Sequence, residues 1–145
     1  MFYPPAKEPT MSEIKKYAVA PTGRLHLRDA ADELMHTDDG KEIAVNVYGP
    51  GSKQYAKAQA AQQNRMIDKL KRKGQTSQTA EQIASEKAEF LTDCTASFEN
   101  LEYDALTGDA LASAVYSDIS IGFVSDQVAK FVGDWAGFLQ APTTN

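Results

Sequence analysis

Two histidines and two neighbouring aspartates form the set of side chains whose types best suit metal binding. His26 and His36 are the only histidines of the chain, and Asp38 and Asp39 follow the second. An imidazole pair with one of these carboxylates as a third ligand could hold a metal ion. Asp38, Asp39 and Gly40 lack the alternating oxygen ligands and the closing glutamate of a calcium loop. The sequence favours exposed strand and turn residues here, and it predicts no metal and no cofactor.

Nucleophilic and phosphate-binding chemistry has few supporting residues. Cys94 is the single cysteine, so it cannot form an internal disulfide, and it falls on the apolar side of a predicted helix. This position favours a buried thiol over a nucleophile. Residues 49–53 (GPGSK) precede a predicted helix but lack the spacing of a phosphate-binding loop. Carboxylate pairs such as Asp29 and Asp32 are typical of a solvated surface. We therefore predict a protein without enzymatic activity.

A basic cluster at the end of the first predicted helix suggests a different kind of function. Its members are Arg65, Lys69, Lys71, Arg72 and Lys73. Cations near a helix C-terminus complement the helix dipole, which is the interpretation we favour. An anionic protein partner and nucleic acid are the alternatives. The chain has a net charge of -5, and no aromatic residue within the cluster could stack on bases, so nucleic acid is the weaker alternative.

The length and composition of the chain predict one globular domain. It has 145 residues, of which 42% are hydrophobic and 24% are charged, and these values are ordinary for a folded protein. No apolar run is long enough to span a bilayer. The Pro-rich residues 1–22 predict a flexible arm, residues 23–139 the domain, and residues 140–145 a flexible tail.

Two kinds of periodicity divide the predicted domain. Leu25 with Leu27, and Val45 with Val47, alternate with more polar residues and predict two strands of a hairpin over residues 23–48. Helical patterns predict four helices, over about residues 52–73, 79–97, 107–116 and 119–139. The predicted fold class is α+β, mostly α, with a small N-terminal β-hairpin packed on a bundle of about four helices.

The last predicted helix carries the strongest amphipathic pattern in the chain. Its apolar positions, with steps of four, three, four and three residues, are Val124, Val128, Phe131, Trp135 and Phe138. Most of this stripe must form the core in a chain of this size. The arc is wide, so any part that the fold leaves uncovered would form a binding surface for another protein.

Several short motifs follow one another between residues 41 and 139. They are residues 48–55 (YGPGSKQY), 98–104 (FENLEYD), 115–118 (VYSD), 121–123 (IGF), 126–128 (DQV) and 134–138 (DWAGF). In order and spacing these motifs resemble the tail assembly chaperones of long-tailed, siphovirus-type bacteriophages. The Pro-rich residues 1–22 depart from the shorter members of that family.

The resemblance implies a non-enzymatic, mostly helical protein that binds the tape measure protein during tail assembly. Members of the family keep that client soluble and help to recruit the tail tube protein. The resemblance places the chain in the host cell cytoplasm and outside the mature virion, and it is compatible with a homo-oligomer. The alternatives are a virion structural protein, such as a tail-completion or connector component, and a small nucleic-acid-binding protein that uses residues 65–73.

We expect the client surface on the last two helices and around the motif at residues 98–104. The candidate protein-binding residues are Phe123, Phe131, Trp135, Phe138, Leu101 and Tyr103. Aromatic side chains usually dominate such interfaces. Each of these residues is also suited to the core, and the burial of its side chain decides between the two roles.

Overall fold

A three-stranded antiparallel sheet packs against α-helices. The computed structural model describes residues 11, 13–73 and 78–140. The elements in chain order are β1 (Thr22–His26), β2 (Ala44–Tyr48), α1 (Lys53–Lys73), α2 (Ala80–Cys94), β3 (Thr95–Glu99), α3 (Gly108–Ser117) and α4 (Gly122–Val132). Short 3-10 helices cover Ile14–Tyr17, Ile119–Ile121 and Trp135–Phe138. The predicted fold class, α+β and mostly α with an N-terminal hairpin, is confirmed.

The predicted hairpin forms from β1 and β2. In its antiparallel register Leu25 pairs with Val45, and Val45 is fully buried in the core. The connection between the strands folds back on the hairpin, since Met35 N–H donates a hydrogen bond to Leu27 O at 2.9 Å. Gly40 has a φ of 87° in the turn of this connection, a conformation that favours glycine.

β3 joins the sheet where the sequence predicts helix. The pattern predicts a second helix that reaches about residue 97, but α2 ends at Cys94 and β3 begins at the next residue. β3 pairs antiparallel with β2, which gives the strand order β1-β2-β3. The predicted boundary is wrong because pairing with β2, a strand distant in sequence, outweighs the local helix propensity. The start of α2 agrees with the sequence, since Thr79 and Gln82 form a capping box.

The last predicted helix, residues 119–139, is broken in the structure. A 3-10 turn precedes α4, and α4 ends at Val132. After Gly133, Asp134 begins a separate 3-10 helix by accepting a hydrogen bond from Ala136 N–H at 3.0 Å. The apolar spacing continues across the break, which is why the periodicity alone predicts one helix. Because α4 does not continue past this break, Phe138 packs against the sheet instead of occupying the next position of a continuous helix.

Phe138, near the end of the described chain, packs against the residues around β1 near its start. Its side chain is 1% exposed, and its ring centre lies 5.0 Å from that of Phe131. A Cβ atom at Gly23 would lie 2.8 Å from Phe138 Cε1, and one at Gly49 would overlap the same ring. The ring therefore packs where two glycines leave room for it. The Phe138 carbonyl also accepts a hydrogen bond from Ala20 N–H at 2.7 Å.

Part of the predicted flexible arm, residues 1–22, packs on the domain. Residues 1–10 and 12 lie outside the described residues. Ile14–Tyr17 form a 3-10 turn, and Pro21 O accepts a hydrogen bond from Gly49 N–H at 2.9 Å. Thr22 already belongs to β1. Residues 141–145 of the predicted tail also lie outside the described residues.

Phe138→Ala is expected to lower the free energy of unfolding by about 3–5 kcal/mol, because it leaves a cavity against the sheet. Leu139→Ala is the matched control, since Leu139 is 70% exposed, and its expected effect is below about 0.5 kcal/mol. Urea denaturation followed by circular dichroism measures both effects. Equal effects of the two substitutions would contradict this account of the packing.

Candidate protein-binding groove

A groove with a volume of about 600 Å³ runs between β3 and α3. Four consecutive residues of β3, residues 95–98, form one wall, and Leu111 and Ala112 of α3 form the opposite wall. Leu101 and Leu106 line the groove from the loop that connects the two elements. Most of these side chains are apolar, so the fold leaves an apolar surface open to a partner.

Thr95 holds the two walls of the groove in place. Its Oγ1 donates a hydrogen bond to Leu91 O in α2 at 2.8 Å. The same oxygen lies 2.6 Å from Tyr116 Oη in α3, so the tyrosine donates to it. Burial raises the pKa of Tyr116, and its hydroxyl therefore keeps the proton for this bond. Phe98 adds a ring contact to Tyr116, with ring centres 5.8 Å apart.

The loop between β3 and α3 has a backbone conformation that L-residues rarely adopt. Asn100, Asp104 and Ala105 have φ values of 60°, 49° and 57°, which lie in the left-handed region. Asn100 Nδ2 donates a hydrogen bond to Glu42 O at 2.8 Å and so fixes the start of the loop to the hairpin. The loop residues that line the groove are therefore positioned by this side-chain hydrogen bond and by the left-handed backbone, and not by a helix or a strand.

Tyr103 ties this loop to the segment that follows α3. Its Oη donates a hydrogen bond to Asp118 Oδ2 at 2.8 Å. Hydrogen bonds from Ser120 and Tyr103 hold the pKa of Asp118 below its ordinary value. The carboxylate therefore stays charged at neutral pH and remains a strong acceptor. Tyr103 positions the loop and is not itself part of the groove lining.

The charged side chains of the groove are acidic. Glu102 and Asp109 line it and are exposed, and its described lining contains no lysine or arginine. Asp109 lies in the first turn of α3, where a negative charge is favourable beside the helix N-terminus. The groove therefore combines an apolar floor with a negatively charged rim.

The structure separates the six predicted protein-binding residues. Leu101 lines the groove, whereas Phe138 is buried and takes the core role that was the alternative for each of these candidates. Trp135 is 58% exposed. Phe131 is partly buried against Phe138, and Phe123 lines a separate cleft of about 340 Å³. The final helical segments therefore do not present these aromatic side chains as one surface.

The sequence prediction missed the β3 wall and the part that Leu106 plays in the groove. Two signals were available in the sequence. Leu106 and Leu111 flank Thr107, the N-cap of α3, at the spacing of a hydrophobic staple. The run TASFE alternates in polarity after the helical pattern of α2, which is typical of a strand.

The rings of the two histidines contact each other. The ring centres of His26 and His36 are 4.9 Å apart in an edge-to-face arrangement, and His26 Nε2 lies 2.8 Å from Met35 O. Asp38 and Asp39 are exposed. In the part of the chain that the structure describes, no group of three His, Cys, Asp or Glu side chains could hold a metal ion.

Two members of the basic cluster form ion pairs between α1 and α2. Arg65 Nε lies 3.1 Å from Glu86 Oε2 and 3.2 Å from Glu89 Oε2, and Lys69 Nζ lies 2.8 Å from Glu86 Oε1. Burial acts to raise the pKa of Glu86, but the hydrogen bonds from Lys69 and Arg65 outweigh it and lower that pKa. This part of the cluster has a structural role in joining the two helices.

Cys94 is fully buried at the end of α2, as the sequence predicts. Burial, with a smaller effect of the Asp93 charge, raises the pKa of its thiol to about 12. A thiol with this pKa holds its proton at neutral pH and is a poor nucleophile. The geometry therefore favours a structural role for this side chain.

Comparison with protein-family models, curated proteins and solved structures finds no match to this chain. The resemblance of its motifs to tail assembly chaperones therefore stays a prediction. Among the described helices, none has both the length and the apolar content needed to cross a membrane.

Cys94 is expected to resist thiol reagents in the folded protein and to react fully in denaturant, because the thiol is buried and protonated. A colorimetric disulfide reagent at about pH 8 measures the reaction. Its rate should follow the rate of unfolding as urea is added. Complete reaction of the folded protein within the mixing time would contradict the burial of Cys94.

Glu86→Gln is expected to lower the free energy of unfolding at neutral pH by about 1–3 kcal/mol, because it removes the charge that Arg65 and Lys69 contact. The folded-state pKa of Glu86 lies below its ordinary value of 4.5. The contribution of Glu86 to the free energy of unfolding is therefore complete above its ordinary pKa of 4.5 and is lost as the pH falls through the folded-state pKa.

Urea denaturation at neutral and at acidic pH measures this effect. The difference in free energy of unfolding between the wild type and Glu86→Gln should become smaller at acidic pH. Glu89→Gln is the matched control on the same helix, because its side chain is 53% exposed, and its expected effect is below about 1 kcal/mol. A Glu86→Gln effect that is independent of pH would contradict the ion pairs.

Proposed function

We propose that this protein is a tail assembly chaperone of a long-tailed bacteriophage, which binds the tape measure protein and promotes assembly of the tail tube. It works by binding, without catalysing a reaction. It acts in the host cell cytoplasm and is not a component of the mature virion. The client protein binds in the groove between β3 and α3.

The coincidence of one chaperone-like motif with the groove carries this proposal. Residues 98–104 resemble a motif of the chaperone family, and they supply Phe98, Leu101 and Glu102 to the groove lining. Tyr103 of the same motif holds the loop through its bond to Asp118. The resemblance and the open apolar surface thus share three residues.

The surface chemistry also supports a binding role. A protein that keeps an apolar client soluble needs an uncovered apolar surface and a charged exterior. The groove provides the first, and a net charge of -5 provides the second. Trp135 is 58% exposed and stays a predicted second contact for the client or for the tail tube protein.

The ion pairs of the basic cluster weaken the nucleic-acid alternative. Arg65 and Lys69 are paired with Glu86, so their positive charges are largely compensated within the protein. The acidic rim of the groove would also repel a phosphate backbone. Protein binding through the groove is the function that the geometry supports best.

Co-expression with the tape measure protein is the direct test. The wild-type chain is expected to move the tape measure protein from the insoluble to the soluble fraction. Leu106→Lys is expected to reduce the soluble amount severalfold, because it places a charge on the apolar floor of the groove. Quantitative immunoblotting of both fractions measures the effect.

Ile119→Lys is the matched control, since it makes the same chemical change at a side chain that is 89% exposed and outside the groove. It should solubilise the client as well as the wild type does. A tape measure protein that stays insoluble with the wild-type chain would contradict the proposed function. Mass spectrometry of purified virions provides a second test, because abundant copies there would favour the virion-component alternative.

A further inference from the structure

β3 is an edge strand whose outer side borders the groove. It pairs with β2 on one side, and no other strand of the described residues pairs with it. Thr95 N–H donates to Thr92 O. Within the described chain, the remaining backbone hydrogen bonds of β3 are those with β2. An edge of this kind keeps N–H and C=O groups that another chain can pair with.

This edge has no lysine or proline, the residues that most often protect an edge strand. Its sequence is TASFE, its exposed residues Ala96 and Ser97 are small, and its one charged side chain, Glu99, is ion-paired within the sheet. A bulge places Ala96 opposite the step between Asn46 and Val47. Residues 97–99 are therefore the regular part of the edge. At the opposite edge of the sheet, β1 packs against the last 3-10 helix.

The groove beside this edge offers both apolar contacts and negative charge. Its volume of about 600 Å³ lies within the range of small ligand pockets, about 300–1,000 Å³. Leu106 and Leu111 offer apolar contacts, whereas Glu102 and Asp109 offer negative charge. A complementary segment carries apolar side chains that enter the groove and basic side chains that reach its rim.

We propose that β3 and the groove bind an extended peptide segment of a partner protein in which apolar and basic side chains alternate. The segment adds to the sheet as a fourth strand along residues 97–99, with backbone hydrogen bonds to the β3 edge. Alternate side chains of a strand point to opposite sides. One set therefore faces the side of the sheet on which Phe98 packs against α3, where it contacts Leu106 and Leu111. The basic set faces the side that carries Glu99, and the acidic groups Glu99, Glu102 and Asp109 attract it.

This inference shares one premise with the proposed function, namely that a protein partner binds in the groove. It names the chemistry of the bound segment, and it does not require that the segment belong to the tape measure protein. The two proposals can therefore fail separately.

Titration of isotope-labelled protein with synthetic peptides tests the inference by NMR spectroscopy. The probes are a peptide of about eight residues that alternates Val and Lys, its Val and Glu counterpart, and the Val and Lys peptide with alternate backbone nitrogens methylated. The Val and Lys peptide should shift the amide signals of residues 96–99 and slow their hydrogen exchange. The acidic peptide should bind at least about tenfold more weakly, and the methylated peptide should lose binding.

Two charge-reversal variants test the role of the rim. Asp109→Lys and Glu81→Lys each replace an acid in the first turn of a helix, so they change the net charge and the helix-dipole interaction equally. Asp109→Lys is expected to weaken binding of the basic peptide by about tenfold. Glu81→Lys lies outside the groove lining and should change it by less than about twofold.

Three results would overturn the inference. They are equal affinity for the basic and acidic peptides, signal changes confined to residues outside the groove, and no binding of the basic peptide at millimolar concentration. If the peptide binds β3 but the tape measure protein stays insoluble, the proposed function fails and this inference stands. If the client is solubilised but the peptide results are negative, only the inference fails.

Discussion

The direct passage from α2 into β3 is the constraint on which the rest of the structure depends. Cys94 ends the helix inside the core, and Thr95 begins the strand at the next residue. Thr95 Oγ1 bonds to Leu91 O and to Tyr116 Oη, so this single side chain joins α2, β3 and α3. The junction sets β3 beside β2 as the third strand. It also leaves a space between β3 and α3, which becomes the groove.

The hairpin and the existence of four helices could be predicted because their signals are local. Alternating apolar residues mark β1 and β2, and the Thr79 capping box marks the start of α2. The run TASFE carries a local strand pattern, but the pairing of β3 with β2 could not be predicted in this way, because it is a contact between distant parts of the chain. The break at Gly133 was equally hidden, since the apolar spacing runs through it without interruption.

The site was harder to predict than the fold. Trp135 and Phe138 belong to the same apolar stripe, yet one is 58% exposed and the other 1%. A periodic pattern identifies a face of a helix, but the 3-10 turn after Asp134 gives these two residues different surroundings. The groove itself depends on a loop with left-handed residues at 100, 104 and 105, and no periodic pattern describes such a loop.

Site-specific photo-crosslinking tests the central claim, that the client binds between β3 and α3, most directly. A photoreactive amino acid would replace Leu106, which lines the groove, or Ile119, which lies outside it, in cells that also produce the tape measure protein. The account predicts a crosslinked product that contains the tape measure protein for position 106 and little or none for position 119. Crosslinking at position 119 without crosslinking at position 106 would contradict it.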